Sequence, residues 1–557
     1  MPPRTLRLWR IATLLLYLVL TCSQLGLPGL HYDEAKEAGV NALELLSGAP
    51  ITAFRGATVP FFGISLPLMV QDYIGALNVY LALPFLKLTG VGVPNLRILS
   101  VLTGLGTLLL LEQVVTEWID WWTTRKEDEA WRRLSHVAAL AVVTLLAISP
   151  TFIFWSRQGI FVTNLTQPLC LWAIWQGLCW LRRGHPVSLV QAAFASGLAI
   201  YAKLLAVWVI VPFWALVLSY LIFSKWGAGG VGRWEARQII GPPKNPQSAI
   251  RIPQSLFLAL PAFLLGLSPL LLFNWQTGGT LFSVGGNLTQ SYYGVNNLDL
   301  ASNFLVRARQ IVQILQGNQF DYLGGVFSDW LAPWLVAGIL VMATLRNWRF
   351  LFAPLVLLLC AFMASLFTVS GLFVTHYALL QPLLYGLVGI ALYELRIGDY
   401  RILVAILLMF WFCIDLSNTL RYHQVLSQSG GLGDHSDASY HLAYDLRYNG
   451  MGAPIALDWG MDATVRYLSE GTVRPIEIFG YESLQQPDPA FQDRLAPFLQ
   501  NPDNVYLLRA PQRTVFVGRR EAFLQAVEHL GQSAKLEKTF AQRNREVLFE
   551  LWRVTEK

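Results

Sequence analysis

Apolar runs long enough to cross a lipid bilayer recur in this chain from residue 11 to residue 419. A transmembrane helix needs about 20 consecutive, mainly apolar residues. The composition agrees, because 54% of the 557 residues are hydrophobic and only 14% are charged, whereas soluble domains carry about 25% charged residues. The sequence therefore predicts a polytopic membrane protein and excludes a soluble enzyme, a disordered chain and a small secreted scaffold.

Eleven segments have the length and apolarity of transmembrane helices. They lie near residues 11–20, 96–118, 136–153, 165–181, 187–202, 204–223, 255–274, 331–345, 350–369, 377–394 and 401–419. A further apolar stretch, 75–91, contains Pro84 and polar Asn78. Counting this stretch as a span would move every later loop to the opposite side of the membrane.

Basic residues decide how the spans are oriented. If 75–91 does not cross the bilayer, the loops on one side hold 18 Lys and Arg, and the longer loops on the other side hold seven. Cytoplasmic loops are the ones enriched in these residues. The sequence therefore predicts a cytoplasmic N-terminus in the plasma membrane and a first outer loop, 31–94, with amphipathic helices along the bilayer surface. Since orientation explains the net charge of +6, no nucleic-acid partner is predicted.

A second, soluble domain follows the membrane part. After residue 420 polar and apolar residues alternate, so we divide the chain into a transmembrane domain, 1–420, and an α/β domain, 421–557. The pattern predicts strands and helices in turn. The strands are 454–457, 505–508, 514–517 and 546–552, and the helices are 436–448 and 519–530. An odd number of spans places this domain outside the cytoplasm.

The densest group of ionisable residues on the outer side is 31–37, with the sequence HYDEAKE, directly after the first span. Asp33 and Glu34 suit the first turn of a helix, where the helix dipole favours acids. A carboxylate at the bilayer surface is also placed to accept a proton from a hydroxyl group. The residues alone leave both interpretations open.

Four stretches on the outer side carry a resemblance to a known family. They are 31–34 (HYDE), 73–77 (YIGAL), 156–160 (SRQGI) and 197–203 (GLAIYAK). In this order they resemble GT-C fold glycosyltransferases, the group that holds protein O-mannosyltransferases and the lipid A aminoarabinose transferase. The resemblance covers about the first 205 residues, and the rest of the chain is similar only in layout.

The resemblance implies an enzyme that transfers a hexose or pentose from a polyprenyl phosphate to an acceptor hydroxyl of a glycan, lipid or protein, with inversion. Asp33 is then the catalytic base, with Glu34 as its neighbour or substitute. Lys203 and Arg157 are expected to bind the donor phosphate, because fixed cations stabilise the charge of a departing phosphate. Each residue also has a purely structural interpretation. Lys203 could extend its ammonium group to the lipid headgroups, and Arg157 could form an ion pair with an acidic residue.

Other positions carry weaker expectations. Arg55 and Tyr73 lie in the same outer loop and are expected to line the substrate site. His376 and Tyr377 stand at the outer start of the predicted span 377–394, where similar enzymes often have an Arg-Tyr pair. Asp415 lies within the last span, where an acid invites a proton-relay interpretation.

Two further functions stay open at this stage. One is a lipid-linked oligosaccharide transferase or ligase, and the other is a polytopic transporter, although no paired inverted halves are evident. Asp33 and Glu34 could hold a divalent metal through oxygen, but the chemistry does not require one. We therefore predict no metal site and no other cofactor.

Overall fold

The computed structural model describes residues 3–123, 129–158, 163–226, 248–395 and 401–556. Its α-helices are α1 Pro3–Cys22, α2 Tyr32–Glu34, α3 Val40–Ser47, α4 Leu77–Thr89, α5 Val93–Trp122, α6 Glu129–Ile148, α7 Pro150–Gln158, α8 Thr163–Arg183, α9 Pro186–Ala202, α10 Val207–Trp226, α11 Ser248–Thr277, α12 Gly279–Gly286, α13 Leu300–Gln316, α14 Leu331–Ala364, α15 Gln381–Leu395, α16 Arg401–Ser429, α17 Ala438–Tyr448, α18 Asp462–Leu468, α19 Phe491–Leu499 and α20 Arg519–His529. Its strands are β1 Thr58–Phe61, β2 Ile64–Pro67, β3 Met69–Gln71, β4 Ile74–Gly75, β5 Ile455–Ala456, β6 Ile476–Glu477, β7 Val505–Arg509, β8 Gln532–Ala541 and β9 Val547–Glu556.

Eight spans in the described part of the chain are long and apolar enough to cross a membrane, and they contain α1, α5, α6, α10, α11, α14, α15 and α16. The span that contains α15 lies at the centre of the bundle, because 83% of it is buried, against 22% for α11, α14 and α16. The chain is a multi-pass membrane protein, and the predicted helical bundle is confirmed.

The long helix α14 contains two of the predicted spans. A straight helix of 34 residues would be about 50 Å long. Both ends of α14, however, contact α13: the N–H of Asp329 bonds to Gln316 O at 2.9 Å, and Arg307 bonds to Ser365 O at 2.9 Å. The backbone leaves helical geometry at Asn347, with φ −153° and ψ 71°. The helix therefore folds back at Asn347, where the sequence predicts a turn between two spans.

Two other predicted spans coincide with α8 and α9, and α9 has only 17 residues. The predicted span 136–153 ends too late, because α6 stops at Ile148 and a new helix begins at Pro150. The predicted basic loops 224–254 and 394–401 lie largely outside the described residues.

The segment between α1 and α5 contains three helices and two antiparallel hairpins, β1–β2 and β3–β4. Helix α4 covers most of the doubtful stretch 75–91 and has 13 residues. Its length is about 20 Å, well below the 30 Å thickness of the hydrocarbon core. A straight helix of that length is too short to span a bilayer, in agreement with its exclusion from the predicted spans.

The C-terminal part forms the predicted α/β domain around a five-stranded sheet of order β6-β5-β7-β9-β8. Strands β5, β6 and β7 are parallel, and β9 runs antiparallel to both β7 and β8. Helix α16 carries the chain from the bundle into this domain and ends at Ser429, beyond the predicted division at residue 420.

One predicted strand, 514–517, is wrong. The N–H groups of Val515 and Phe516 bond to the carboxylate of Asp458 instead of to a neighbouring strand. A short run of β-branched and aromatic residues predicts a strand, but the sequence pattern does not show that a side chain competes for the backbone hydrogen bonds.

The C-terminal domain packs directly on the segment between α1 and α5. Tyr440 donates a hydrogen bond to Gly26 O at 2.7 Å, Tyr467 donates to Gly92 O at 3.0 Å, and Arg466 pairs with Glu44 at 2.6 Å. We call the end of the bundle that faces this domain the site end.

Candidate active site at the site end of the bundle

His31 and the helical segment after it position the predicted catalytic acids. The imidazole Nδ1 of His31 caps the segment by accepting the N–H of Asp33 at 3.1 Å. Between α2 and α3 the chain makes one π-helical turn, Ala35–Gly39, a feature found often at functional sites. The Asp33 side chain is 25% exposed, so its carboxylate is accessible to a substrate.

Glu34 has a different environment from its neighbour. Both of its carboxylate oxygens accept hydrogen bonds from Arg97, at 2.7 and 2.9 Å, and both side chains are buried. The same guanidinium donates to the carbonyls of Leu25 and Pro28 at 3.0 and 2.8 Å. Glu34 thus holds the loop after α1 in place, and this geometry leaves it no free oxygen for the expected role as substitute base.

Lys203 reaches the site through the end of α9. Its backbone is extended and forms an antiparallel bridge with Ile74 of β4, and the N–H of Leu204 bonds to Tyr73 O at 3.0 Å. A Cβ atom at Gly75 would collide with Tyr201, so glycine allows β4 to lie against α9. The segment between α1 and α5 is thereby joined to α9 at Lys203.

Burial and neighbouring carboxylates act on the ionisable side chains around Lys203. Lys203 is 3% exposed; burial lowers its pKa, while the carboxylates of Glu37 and Asp33 oppose that change. Burial, followed by the charges of Glu37 and Asp33, raises the pKa of Tyr73. The structure therefore brings Asp33, Lys203 and Tyr73 together, and adds Glu37, which is buried.

His376 and Tyr377 lie beside this group and contact Arg307 of α13. Arg307 is buried; one of its nitrogens lies 3.4 Å from His376 Nδ1, and its guanidinium stands 5.1 Å from the centre of the Tyr377 ring. Burial lowers the pKa of Arg307 to about 10. His376 in turn interacts with the charge of Lys203. His376 therefore lies between two cationic side chains, Lys203 and Arg307.

Arg157 does not join Lys203. It lies in α7, is completely buried, and donates hydrogen bonds to the carbonyls of Ser23 and Gln24 at the end of α1. Its other nitrogen lies 3.1 Å from His423 Nδ1. Arg157 thus lies in a buried helix that continues through Gln158, and residues 159 and 160 of its motif lie outside the described residues.

Arg55 forms an ion pair within the segment between α1 and α5. Its guanidinium forms two hydrogen bonds with Asp72, at 2.7 and 2.8 Å, and its side chain is 45% exposed. Arg55 also lines a cavity of about 290 Å³ between the C-terminal domain and the segment that joins α1 to α5. It is therefore near the site without contacting Asp33 or Lys203 in the described contacts.

Three residues of the site were not predicted from the sequence. Glu37 follows Asp33 at i+4, a spacing that places two side chains on one helical face and was the available signal. Tyr293 interacts with the charge of Asp33, and Arg307 stands behind His376, but both come from the segment 275–329, which shows no motif.

A metal site formed by Asp33 and Glu34 is not supported by this geometry, since Arg97 donates hydrogen bonds to both carboxylate oxygens of Glu34. Within the ranges that the structure describes, no group of three or more His, Cys, Asp or Glu residues is arranged to hold a metal ion. The site therefore combines an accessible carboxylate, Asp33, and a buried carboxylate, Glu37, with the buried ammonium group of Lys203. This arrangement suits proton abstraction next to a bound anion.

Comparisons with known proteins bear on the fold. No family model matches the chain, and no curated protein matches it by sequence. The structure of ArnT from Cupriavidus metallidurans in the apo state matches with a TM-score of 0.55 and 12% identity, covering 98% of this chain and 97% of that one. ArnT from the same organism bound to undecaprenyl phosphate matches with a TM-score of 0.56 and 12% identity, covering 99% and 98%.

Nearly complete coverage of both chains, from the first membrane helix through the C-terminal domain, shows a shared fold. The protein has the GT-C fold of membrane glycosyltransferases. The particular fold is that of ArnT, the lipid A aminoarabinose transferase, and the resemblance predicted from the sequence is confirmed at this level.

Proposed function

We propose that the protein is an inverting glycosyltransferase that moves a hexose or pentose from a polyprenyl-phosphate donor to an acceptor hydroxyl. The observation that carries the proposal is the electrostatic interaction of an accessible carboxylate, Asp33, and a buried one, Glu37, with the buried ammonium group of Lys203. The fold shared with ArnT, one structure of which holds undecaprenyl phosphate, supports a lipid-linked donor.

Asp33 acts as the general base in this proposal. The acceptor hydroxyl gives its proton to the Asp33 carboxylate while its oxygen forms a bond to the anomeric carbon of the sugar. The bond from that carbon to the phosphate oxygen breaks on the opposite face, and its electron pair leaves with the phosphate. Configuration at the anomeric carbon is therefore inverted.

Lys203 stabilises the phosphate as it departs. The leaving group gains one negative charge, and a fixed cation in a site from which water is largely excluded lowers the barrier to that change. Glu37 and Asp33 favour the charged form of Lys203. Arg307 replaces Arg157 as the second cation of the site and acts through His376, with which it shares a contact.

The remaining residues have supporting roles. Tyr73 and Tyr293 flank Asp33 and are proposed to line the sugar site, together with His376 and Tyr377. Arg55 is assigned to the wall toward the cavity beneath the C-terminal domain. This domain, 421–557, is proposed to help bind the acceptor, which is a hydroxyl-bearing glycan, lipid or protein.

We assign the site end to the outer face of the plasma membrane. Support comes from basic residues that gather at the other end of the bundle, where Arg10 pairs with Glu112 and Arg182 pairs with Glu117. Basic residues favour the cytoplasmic side. The N-terminus is then cytoplasmic and the C-terminal domain extracytoplasmic.

Mass spectrometry of lipids that copurify with the full chain tests the donor class. We expect an isoprenoid phosphate, free or with one sugar, and release of undecaprenyl phosphate when the protein is given undecaprenyl-phosphate mannose or arabinose with membrane extract as acceptor. A lipid with several sugars would favour an oligosaccharide transferase, and the absence of both isoprenoid and turnover would contradict the proposal.

A further inference from the structure

The hairpin β1–β2, in the segment between α1 and α5, carries an exposed aromatic tip. The two strands pair in register up to Phe61 and Ile64, so Phe62 and Gly63 form a two-residue turn. Phe62 is 91% exposed, and the side chains of Phe61 and Ile64 beside it are exposed as well. The rings of Phe61 and Phe62 pack edge to face, with 4.6 Å between their centroids. Together these three side chains form an apolar tip that projects from the protein.

The backbone of the turn makes Phe62 an unusual residue at its position. Phe62 and Gly63 have φ of 47° and 81°, the positive values that both central residues of a type I′ turn require. Asparagine or aspartate normally takes the first of these positions, because a bulky side chain strains the backbone there. A phenylalanine ring left in water gains nothing that offsets this strain, whereas contact with a second apolar phase is favourable. The geometry therefore indicates that the tip contacts such a phase.

The composition of the hairpin favours lipid over a protein partner. Residues 56–70 contain no Asp, Glu, Lys, Arg or His, whereas protein-binding surfaces surround an apolar centre with a polar rim. Pro60 of β1 is exposed and has no N–H group, which hinders the addition of a strand from another protein to this edge. An uncharged tip with two aromatic rings is suited to the boundary between lipid and water, where aromatic side chains are enriched.

Contacts with α11 place the base of the hairpin at the edge of the bilayer. The membrane span within α11, Phe257–Thr277, has 21 residues, a length of about 30 Å that matches the hydrocarbon core. Its last residues therefore lie where hydrocarbon meets the lipid headgroups. Gln276 Nε2 donates to Thr58 O at the start of β1, at 3.1 Å. Trp275 beside it is 88% exposed, as is typical of a tryptophan at the membrane boundary.

The tip lies close to this contact. Four residues separate Thr58 from Phe62, a distance of no more than about 14 Å along a strand. Phe54, just before β1, also packs on Phe273 of α11, with 6.4 Å between the ring centroids. The hairpin is thus fixed at its base to a membrane helix, and its tip is within reach of the headgroup layer.

We propose that the side chains of Phe61, Phe62 and Ile64 insert into the headgroup layer of the lipid leaflet at the site end. The turn does not enter the hydrocarbon core, because its backbone N–H and C=O groups would find no hydrogen-bond partners there. Strand β2 leads into β3 and β4, and Ile74 of β4 bridges Lys203. Insertion therefore holds this part of the site at the bilayer surface. The inference is independent of the proposed transferase activity.

A fluorescent label at the tip tests the insertion. The full chain is prepared with Phe62→Cys, labelled with NBD and placed in lipid nanodiscs that contain doxyl-labelled phosphatidylcholine, which quenches NBD in contact with lipid. The exposed cysteines Cys22, Cys360 and Cys413 are first replaced by serine, so that the label attaches at position 62.

Two labelled variants provide the matched controls. Trp275→Cys reports a lipid-facing position, and Asp503→Cys reports an exposed position of the C-terminal domain. We expect the label at position 62 to emit at shorter wavelength than the label at 503, and lipid to quench it nearly as strongly as the label at 275. If Phe62→Cys does not fold, Ile64→Cys carries the label at the same tip with the same expectation.

Two results would overturn the proposal. Quenching at position 62 no stronger than at 503 would show that the tip stays in water. Emission at shorter wavelength without quenching by lipid would show that a protein surface covers the tip.

Discussion

At the scale of single residues, two neighbouring acids of one helix have different environments. Asp33 is accessible, while Glu34 is locked to Arg97. The difference follows from helical geometry, because adjacent residues point in directions about 100° apart. A carboxylate whose oxygens are both held by a buried guanidinium is a poor proton acceptor, so we propose Asp33 alone as the general base.

Asp33→Asn tests this assignment. The amide keeps the size of the side chain but cannot take a proton, so we expect turnover to fall by about 10²- to 10⁴-fold, the usual contribution of a general base. Release of undecaprenyl phosphate measures it. Asp503→Asn serves as the exposed acid-to-amide control and should keep full activity; substantial turnover by Asp33→Asn would remove Asp33 from its role.

At the scale of elements, the site depends on how two segments of the chain are fastened. The loop after α1 is held by Arg97 of α5, and the end of α9 is held by β4. The π turn that follows Asp33 brings Gly39 against the ring of Tyr467, where a Cβ atom would collide. Positioning of Asp33 is therefore shared among α5, the π turn and the C-terminal domain.

Removal of the Arg97 guanidinium should destabilise the protein strongly. Arg97→Met leaves Glu34 as an unpaired buried charge, which costs about 3–5 kcal/mol in comparable cases. The double variant Arg97→Met/Glu34→Leu removes both charges and should recover part of that loss. Thermal unfolding in detergent measures the difference, and a single variant as stable as the wild type would contradict the structural role of the pair.

At the scale of the molecule, the sequence predicts the membrane bundle and the α/β domain because span length and periodicity leave local signals. The site residues Asp33, Lys203 and Tyr73 were singled out by four short motifs and the family resemblance that they carry. Arg307 and Tyr293 lie in no such motif, since their contacts arise only when distant segments of the chain meet. The contacts of Arg157 also leave no signal, because hydropathy does not reveal the partners of a buried polar helix end.

The interface between the C-terminal domain and the segment that joins α1 to α5 should respond to pH. Burial, aided by Asp462, raises the pKa of Glu477 from 4.5 to about 7. The folded state then binds a proton more tightly than the unfolded chain, so stability falls as the pH rises through that window. Tm measured from pH 4.5 to 8 should therefore fall less steeply in Glu477→Gln, whereas exposed Glu482→Gln should follow the wild type. An unchanged slope in Glu477→Gln would contradict this.

The affinity for undecaprenyl phosphate shows whether Lys203 contacts the donor phosphate. Lys203→Met removes the buried cation while keeping an apolar side chain of similar length, and Lys87→Met, at an exposed position of α4, is the matched control. Native mass spectrometry or scintillation proximity gives the Kd. We predict at least tenfold weaker binding for Lys203→Met, about 1.4 kcal/mol, and unchanged binding for Lys87→Met. Equal affinity in Lys203→Met and the wild type would contradict the placement of the donor phosphate at Lys203.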